Sequence, residues 1–277
     1  MRGQDWVRGM LGSVLLFAWA VQPAQAARDE VLTVASTTDM QNSGLYDWLL
    51  PKFKAASGIE VHVVAVGTGA ALDLGKRCDA DAVLVHAKAQ ELAYVAAGYG
   101  IERHDLMYND FVIVGPAADP AHIEGMHSAV AALAKIHHDQ VPFLSRGDNS
   151  GTNIKELALW KDAGLDPAPA SGTWYRETGT GMGPTLNTAR AMDGYTLTDR
   201  ATWISFRNKG DLKVLVQGDP ELLNQYGVML VNPKRCPRAR IDLARSFRDW
   251  LISNPGQQAI ASFRLKGEQL YHPNADK

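Results

Sequence analysis

Four short segments carry the side chains that could do chemistry: Ser36-Thr37-Thr38-Asp39, Gly67-Thr68-Gly69-Ala70, Ser145-Arg146-Gly147-Asp148-Asn149-Ser150-Gly151-Thr152 and Thr178-Gly179-Thr180-Gly181-Met182-Gly183. Hydroxyl groups donate hydrogen bonds, and glycines let backbone N–H groups come close to a ligand. Each segment lies between a β-branched run and an amphipathic one, where a strand would end and a helix begin. A helix start adds unsatisfied N–H groups and a partial positive charge. The chemistry such parts do together is anion binding.

The magnitudes suit a divalent anion without a run of lysines. Four helix starts at about +0.5 each supply roughly +2 at most. Arg146, the only charged donor in these loops, adds a full positive charge and a fork of N–H groups. Charge-assisted hydrogen bonds are worth about 1.5–3 kcal/mol each, so several support nanomolar capture, about −12 kcal/mol, without adding simply.

Other readings of the same residues stay in view. Ser and Thr before a helix serve as ordinary N-caps, and Gly-rich turns as ordinary strand–helix connections. Arg146-Gly147-Asp148 has the form of an adhesion tripeptide. An exported hydrolase would use Ser150 or Thr152 as nucleophile and Lys155, one turn along, as base. The chain has no Gly-x-Ser-x-Gly elbow and no Ser-x-x-Lys set, and no loop matches a nucleotide cradle.

The elements that must position these loops alternate along the chain. Strands are expected at Val31–Ala35, Ile59–Val66, Asp81–Val85, Asp110–Val114, Val141–Leu144, Thr173–Arg176, Lys213–Val216 and Gly227–Val231, and Thr202–Phe206 reads as extended. Helices are expected at Ser43–Ser57, with Pro51 as a kink, then Leu72–Lys76, Ala89–Ala97, Ser128–Ile136, Ile154–Asp162, Pro184–Met192 and Ile241–Ile252. Pro184 suits a first helical position. Two α/β units follow, with chain crossings near Asp110–Gly115 and Gly218–Gly227: residues 27–112 plus 222–277 in one lobe, 113–221 in the other. A ligand would sit in the cleft between two such lobes, each a mostly parallel sheet flanked by helices.

Of the 277 residues, 46% are hydrophobic and 21% charged, with a formal net charge of −2 and two cysteines. That excludes a disordered tail, a collagen-like fibre and a disulfide-built miniprotein, and it argues against nucleic-acid binding through a basic face. Arg2 and Arg8 precede an apolar run, Met10–Val21, and then Pro23 and Ala24-Gln25-Ala26. This reads as a signal peptide, residues 1–26, too short to span a bilayer. Its removal brings the net charge to −3. In an oxidising compartment Cys78 and Cys236 either form one long-range disulfide or stand as two separate buried thiols.

Ser36–Asp39, Val66-Gly67-Thr68-Gly69-Ala70-Ala71-Leu72, Asp79-Ala80-Asp81-Ala82-Val83-Leu84-Val85-His86, Phe143–Thr152 and Gly179-Thr180-Gly181-Met182-Gly183 together resemble the periplasmic tungstate-binding proteins of tungstate ABC importers. The resemblance runs in order through the mature chain. It implies a two-lobed α/β solute-binding protein (type II) that closes on a tetrahedral oxyanion, without cofactor or catalysis, and hands it to an inner-membrane permease. The ligand it implies is tungstate, with molybdate second; sulfate and phosphate binders of the same fold are the alternatives, and Asp148 could serve a phosphate proton. Residue by residue it makes Thr37, Thr38, Thr68 and the Gly69 backbone donors from the first lobe. Arg146 becomes the charged clamp, Ser150 and Thr152 hydroxyl donors, and Thr180, Gly181 and Met182 a backbone cradle. The protein is then expected to be periplasmic and monomeric. One departure is Asp39, where the family commonly has Ser; it is expected to cap the following helix rather than face the anion.

Overall fold

The structure is a computed structural model that describes residues 30–275; the signal peptide expected over residues 1–26 lies outside the described residues. The first part of the chain forms β1 (Val31–Thr37), α1 (Thr38–Ser43), α2 (Leu45–Ser57), β2 (Glu60–Val66), α3 (Thr68–Lys76), β3 (Ala82–Val85), α4 (Lys88–Ala96) and the long β4 (Gly100–Pro116). Then follow α5 (Ala129–Asp139), β5 (Phe143–Ser145), α6 (Gly151–Asp162), β6 (Tyr175–Glu177), α7 (Met182–Ala191), β7 (Thr196–Asp199), α8 (Arg200–Ser205) and β8 (Leu212–Val216). The chain ends with β9 (Leu223–Val231), α9 (Ile241–Ile252), α10 (Asn254–Ser262) and the short strands β10 (Arg264–Leu265), β11 (Glu268–Gln269) and β12 (His272–Pro273).

One sheet runs in the order β12-β4-β9-β3-β1-β2. β3 is buried along its whole length between β1 and β9, which is why it is an unbroken apolar run. β1 pairs in parallel with β2 and β3, whereas β9 is antiparallel to both β3 and β4. The sheet is therefore mixed rather than mostly parallel. β9 is the strand by which the chain returns, and it enters this sheet in the opposite direction.

β4 changes sheets within its length. Up to Asp110 it pairs with β9, and from Phe111 onward it pairs antiparallel with β7 and β8. β4 is thus one continuous strand, much longer than the expected Asp110–Val114. Apolar side chains pack in separate clusters around the two sheet regions: Leu32, Phe53, Tyr226 and Phe247 belong to one, and Phe111, Phe143, Trp160 and Tyr195 to another.

Several elements depart from expectation. The helix expected over Ser43–Ser57 is broken by Gly44, which adopts φ 80° and separates α1 from α2. Pro51 lies inside α2. Thr202–Phe206 is not extended but belongs largely to α8, because the Asp199 carboxylate accepts the Thr202 N–H at 2.8 Å and caps a helix there. The strands expected at Val141–Leu144 and Thr173–Arg176 lie slightly later, at β5 and β6, and α7 starts at Met182, ahead of Pro184. Cys78 and Cys236 are disulfide-bonded, with Cα atoms 5.4 Å apart, so the two-thiol alternative falls. Among the described residues no helix is long and apolar enough to cross a membrane.

Candidate oxyanion site

Strand pairing brings the four loops together. The parallel β1–β2 register aligns Thr37 with Val66, so the loops leaving these strands emerge side by side. The parallel β5–β6 register aligns Ser145 with Glu177, and the Thr178 N–H donates to the Ser145 carbonyl at 2.9 Å. The two pairs also approach each other. A Cβ at Gly67 would touch the Ser150 Cα at 4.0 Å, and one at Gly69 would overlap the Asn149 amide.

Within this cluster several donors are buried without a protein acceptor. Thr37 is 2% exposed and Thr68 is fully buried, and neither hydroxyl oxygen has a hydrogen-bond partner. Arg146, 7% exposed, donates from Nη2 to Asp148 Oδ2 at 2.6 Å, while its Nε is buried and unpartnered. A buried donor left unmade costs about 1–3 kcal/mol, so three at adjoining loops mark a place where an acceptor belongs. The pairing of Asp148 with Arg146 also removes the adhesion reading, since that tripeptide is folded onto itself.

The other expected residues stand as follows. Thr38 is the half-buried first residue of α1, Gly69 is half-buried in the first turn of α3, and Thr152 is buried in the first turn of α6. The Ser150 Oγ accepts the Asn153 N–H at 3.3 Å, so it is an N-cap whose own proton stays free to donate. Met182 is buried, but Thr180 and Gly181 are exposed, and the Thr180 hydroxyl donates to Thr178 Oγ1 at 3.1 Å. The fourth loop therefore forms a rim more than a floor. α1 has only six residues, so its start adds less field than those of α3, α6 and α7.

Asp39 does not cap a helix. It is buried in the first turn of α1, where Oδ1 meets His86 Nε2 at 3.2 Å and Oδ2 accepts the Tyr226 hydroxyl at 2.7 Å. His86 Nδ1 faces Asn224 Oδ1 at 2.9 Å, and the Asn224 amide nitrogen donates onward to Asn109 Oδ1 at 2.7 Å. An acceptor thus stands against each ring nitrogen, an arrangement that favours the doubly protonated ring. Burial alone would lower its pKa, but the Asp39 carboxylate turns the net shift upward. Burial likewise opposes ionisation of Asp39, yet the His86 charge holds that carboxyl well below the usual range. The Thr37 hydroxyl stands near Asp39 without a hydrogen bond to it. The pair is neutral overall, so Asp39 does not oppose an anion at the adjoining loop.

Two further carboxyls went unnoticed in the sequence. Glu156 accepts from Ser145 Oγ at 2.6 Å, Tyr175 Oη at 2.9 Å and Trp160 Nε1 at 3.1 Å, fastening α6 to β5 and β6 beneath Arg146's loop. Burial pushes its pKa up to about 7. Asp199 has one oxygen on the Thr202 N–H and the other buried without a partner; burial, reinforced by the Asp39 charge, pushes it up to about 6. A polar residue on an apolar helix face was the available signal for Glu156, between Thr152 and Leu159–Trp160. Lys155, the base the hydrolase reading required, lines a cavity of about 230 Å³ with His86, Phe111, Gly151 and Leu223.

Comparison with known proteins agrees with this geometry. Residues 20–255 match a family model described as the PBP superfamily domain. The tungstate-binding protein TupA of Peptoclostridium acidaminophilum is 45% identical over 261 residues, 93% of this chain and 90% of that protein. The solved tungstate-binding protein TupA from Desulfovibrio alaskensis G20 is 49% identical, covers 89% of this chain and 100% of its own, and superposes with a TM-score of 0.78. A structure described as the tungstate ABC transporter from Geobacter sulfurreducens is 47% identical over 84% of this chain and 99% of its own, with a TM-score of 0.76. This chain belongs to the PBP superfamily and, within it, to the family of TupA tungstate-binding proteins.

Proposed function

We propose that this protein captures tungstate, with molybdate as its second ligand, in the cleft between two lobes, residues 27–112 plus 222–277 and residues 113–221, and delivers it to an ABC permease in the inner membrane. It is exported by its N-terminal leader and works in the periplasm as a monomer, without a cofactor and without turnover. The hydroxyls of Thr37, Thr38, Thr68, Ser150 and Thr152, the N–H groups of Gly69, Thr180, Gly181 and Met182 and the Arg146 guanidinium supply the donors.

The observation that carries this reading is the set of buried, unpartnered donors, Thr37 Oγ1, Thr68 Oγ1 and Arg146 Nε, at loops that adjoin. A site of donors suits a tetrahedral dianion that is fully deprotonated at neutral pH. Phosphate keeps a proton there and requires an acceptor. Asp148, the candidate for that task, is engaged by Arg146 and, at 3.2 Å, by the Ser150 N–H.

The test is calorimetric competition on the anion-stripped mature protein with tungstate, molybdate, sulfate and phosphate. Tungstate should bind at roughly nanomolar concentration, about −12 kcal/mol. Phosphate binding as tightly as tungstate would overturn the assignment.

A further inference from the structure

His86, the residue directly after β3, is joined to β4 and β9 near the point where β4 leaves β9 to pair with β7 and β8. Asn109 of β4 and Asn224 of β9 are register partners, one pair before the last, Asp110 with Leu223. Both amides belong to the hydrogen-bonded set that ends on the His86 ring. The charged and titratable groups around that ring are Asp39 from α1, Tyr226 from β9, Asp199 from the end of β7 and Glu91 from α4, with Lys88 and Lys155 lining the cavity beside it.

On its other side the ring meets Gly151, the first residue of α6. A Cβ there would stand 2.6 Å from Nδ1 and 2.7 Å from Nε2, and closer still to Cε1. Gly151 is not among the glycines with positive φ, so its backbone does not require glycine. What requires it is the approach of α6 to an immobilised ring. The segment so seated carries Ser150 and Thr152, and it faces the loops of Thr37 and Thr68.

We propose that the His86 ring is the seat on which the second lobe closes, a positioning residue that sets how far the start of α6 advances toward the Thr37 and Thr68 loops. The proposal rests on the two-lobed reading above. Asp39, Asn224 and Asn109 hold the ring in place, and the missing side chain at position 151 makes room for it. Any side chain at 151 props the lobes apart and keeps the donor set from assembling.

The experiment uses the mature protein, small-angle scattering with and without tungstate, tungstate calorimetry and melting of the anion-free form. The wild type should contract on binding. G151A should melt, without anion, at or above the wild-type temperature, because alanine favours a helix over glycine. Its tungstate affinity should fall by about 10- to 100-fold, the range that one overpacked methyl group costs, with the contraction reduced or lost. In an H86A background, where the ring is gone, the same G151A change should cost less than about threefold, the two sites being coupled through that contact. G151A that binds and contracts like wild type overturns the proposal, as does an equal cost in both backgrounds. Loss of anion-free stability together with binding also overturns it, since Gly151 would then be structural. A wild type that binds tungstate without contracting overturns the two-lobed reading beneath it.

Discussion

Replacing Thr37 and Thr68 by valine tests the site with changes that keep shape and remove only the hydroxyl. Both oxygens are buried and neither has a protein partner. Without anion, therefore, no protein hydrogen bond is lost; burying a methyl in place of an unmade donor is neutral or stabilising by about 1 kcal/mol. With the dianion bound, each hydroxyl makes a charge-assisted bond worth about 1.5–3 kcal/mol, so each variant should bind tungstate roughly tenfold to a hundredfold more weakly. The double variant should lose less than the product, because both groups act on one ligand. The two measurements must move in different directions: urea unfolding of the anion-free protein unchanged or shifted up, calorimetric affinity down. Reduced anion-free stability would mean that the hydroxyls serve the fold. Unchanged affinity would remove them from the site.

Arg146→Ala should lose tight tungstate binding while the circular dichroism stays native; nanomolar affinity in that variant refutes the clamp. Asp199→Asn keeps an oxygen for the Thr202 N–H and removes a buried charge. The wild-type folded pKa of about 6 exceeds the unfolded value, so the penalty is absent below about pH 4, grows between pH 4 and 6, and above that reaches about 1–3 kcal/mol. The variant should be the more stable protein at pH 8 by that amount and equal to wild type at pH 3.5; an advantage independent of pH would contradict the argument. Replacing Cys78 and Cys236 together by serine opens a loop of 158 residues and should cost about 2–5 kcal/mol in denaturant. Tungstate affinity should stay within a factor of about three, because the bridge follows the far end of α3 from Thr68; a larger loss would couple the bridge to the site.

The order of strands and helices was legible because each is a contiguous run with its own period. What misled was backbone conformation and capping. Nothing in the apolar spacing of Ser43–Ser57 says that Gly44 adopts a left-handed conformation and splits the segment. Thr202–Phe206 carries the β-branched and aromatic residues of a strand, and only the Asp199 carboxylate, fixed by tertiary packing, makes it a helix start. The mixed sheet was hidden for a different reason: strand direction depends on how the chain returns, and β9 returns after more than a hundred residues in the other sheet.

The loops of the candidate site stand out in the sequence because hydroxyls and glycines cluster locally after strands. The network beneath them does not, because its members are far apart in the chain: Asp39 and His86 are separated by 47 residues, His86 and Asn224 by 138, Asp39 and Tyr226 by 187. That network changes the charge arithmetic. Read along the chain, Asp39 and Asp148 seem to oppose an anion, and Arg146 seems to attract it with a full charge. In the fold each carboxylate has a cation, His86 or Arg146, so the charges nearly cancel in pairs. What remains for a ligand is oriented donors, among them the buried, unpartnered Thr37 and Thr68 hydroxyls and the Arg146 Nε–H. Selection at such a site follows the number of lone pairs that a ligand offers and the absence of protons on it, more than its net attraction. This is why a chain of formal net charge −2 can be built to hold a dianion.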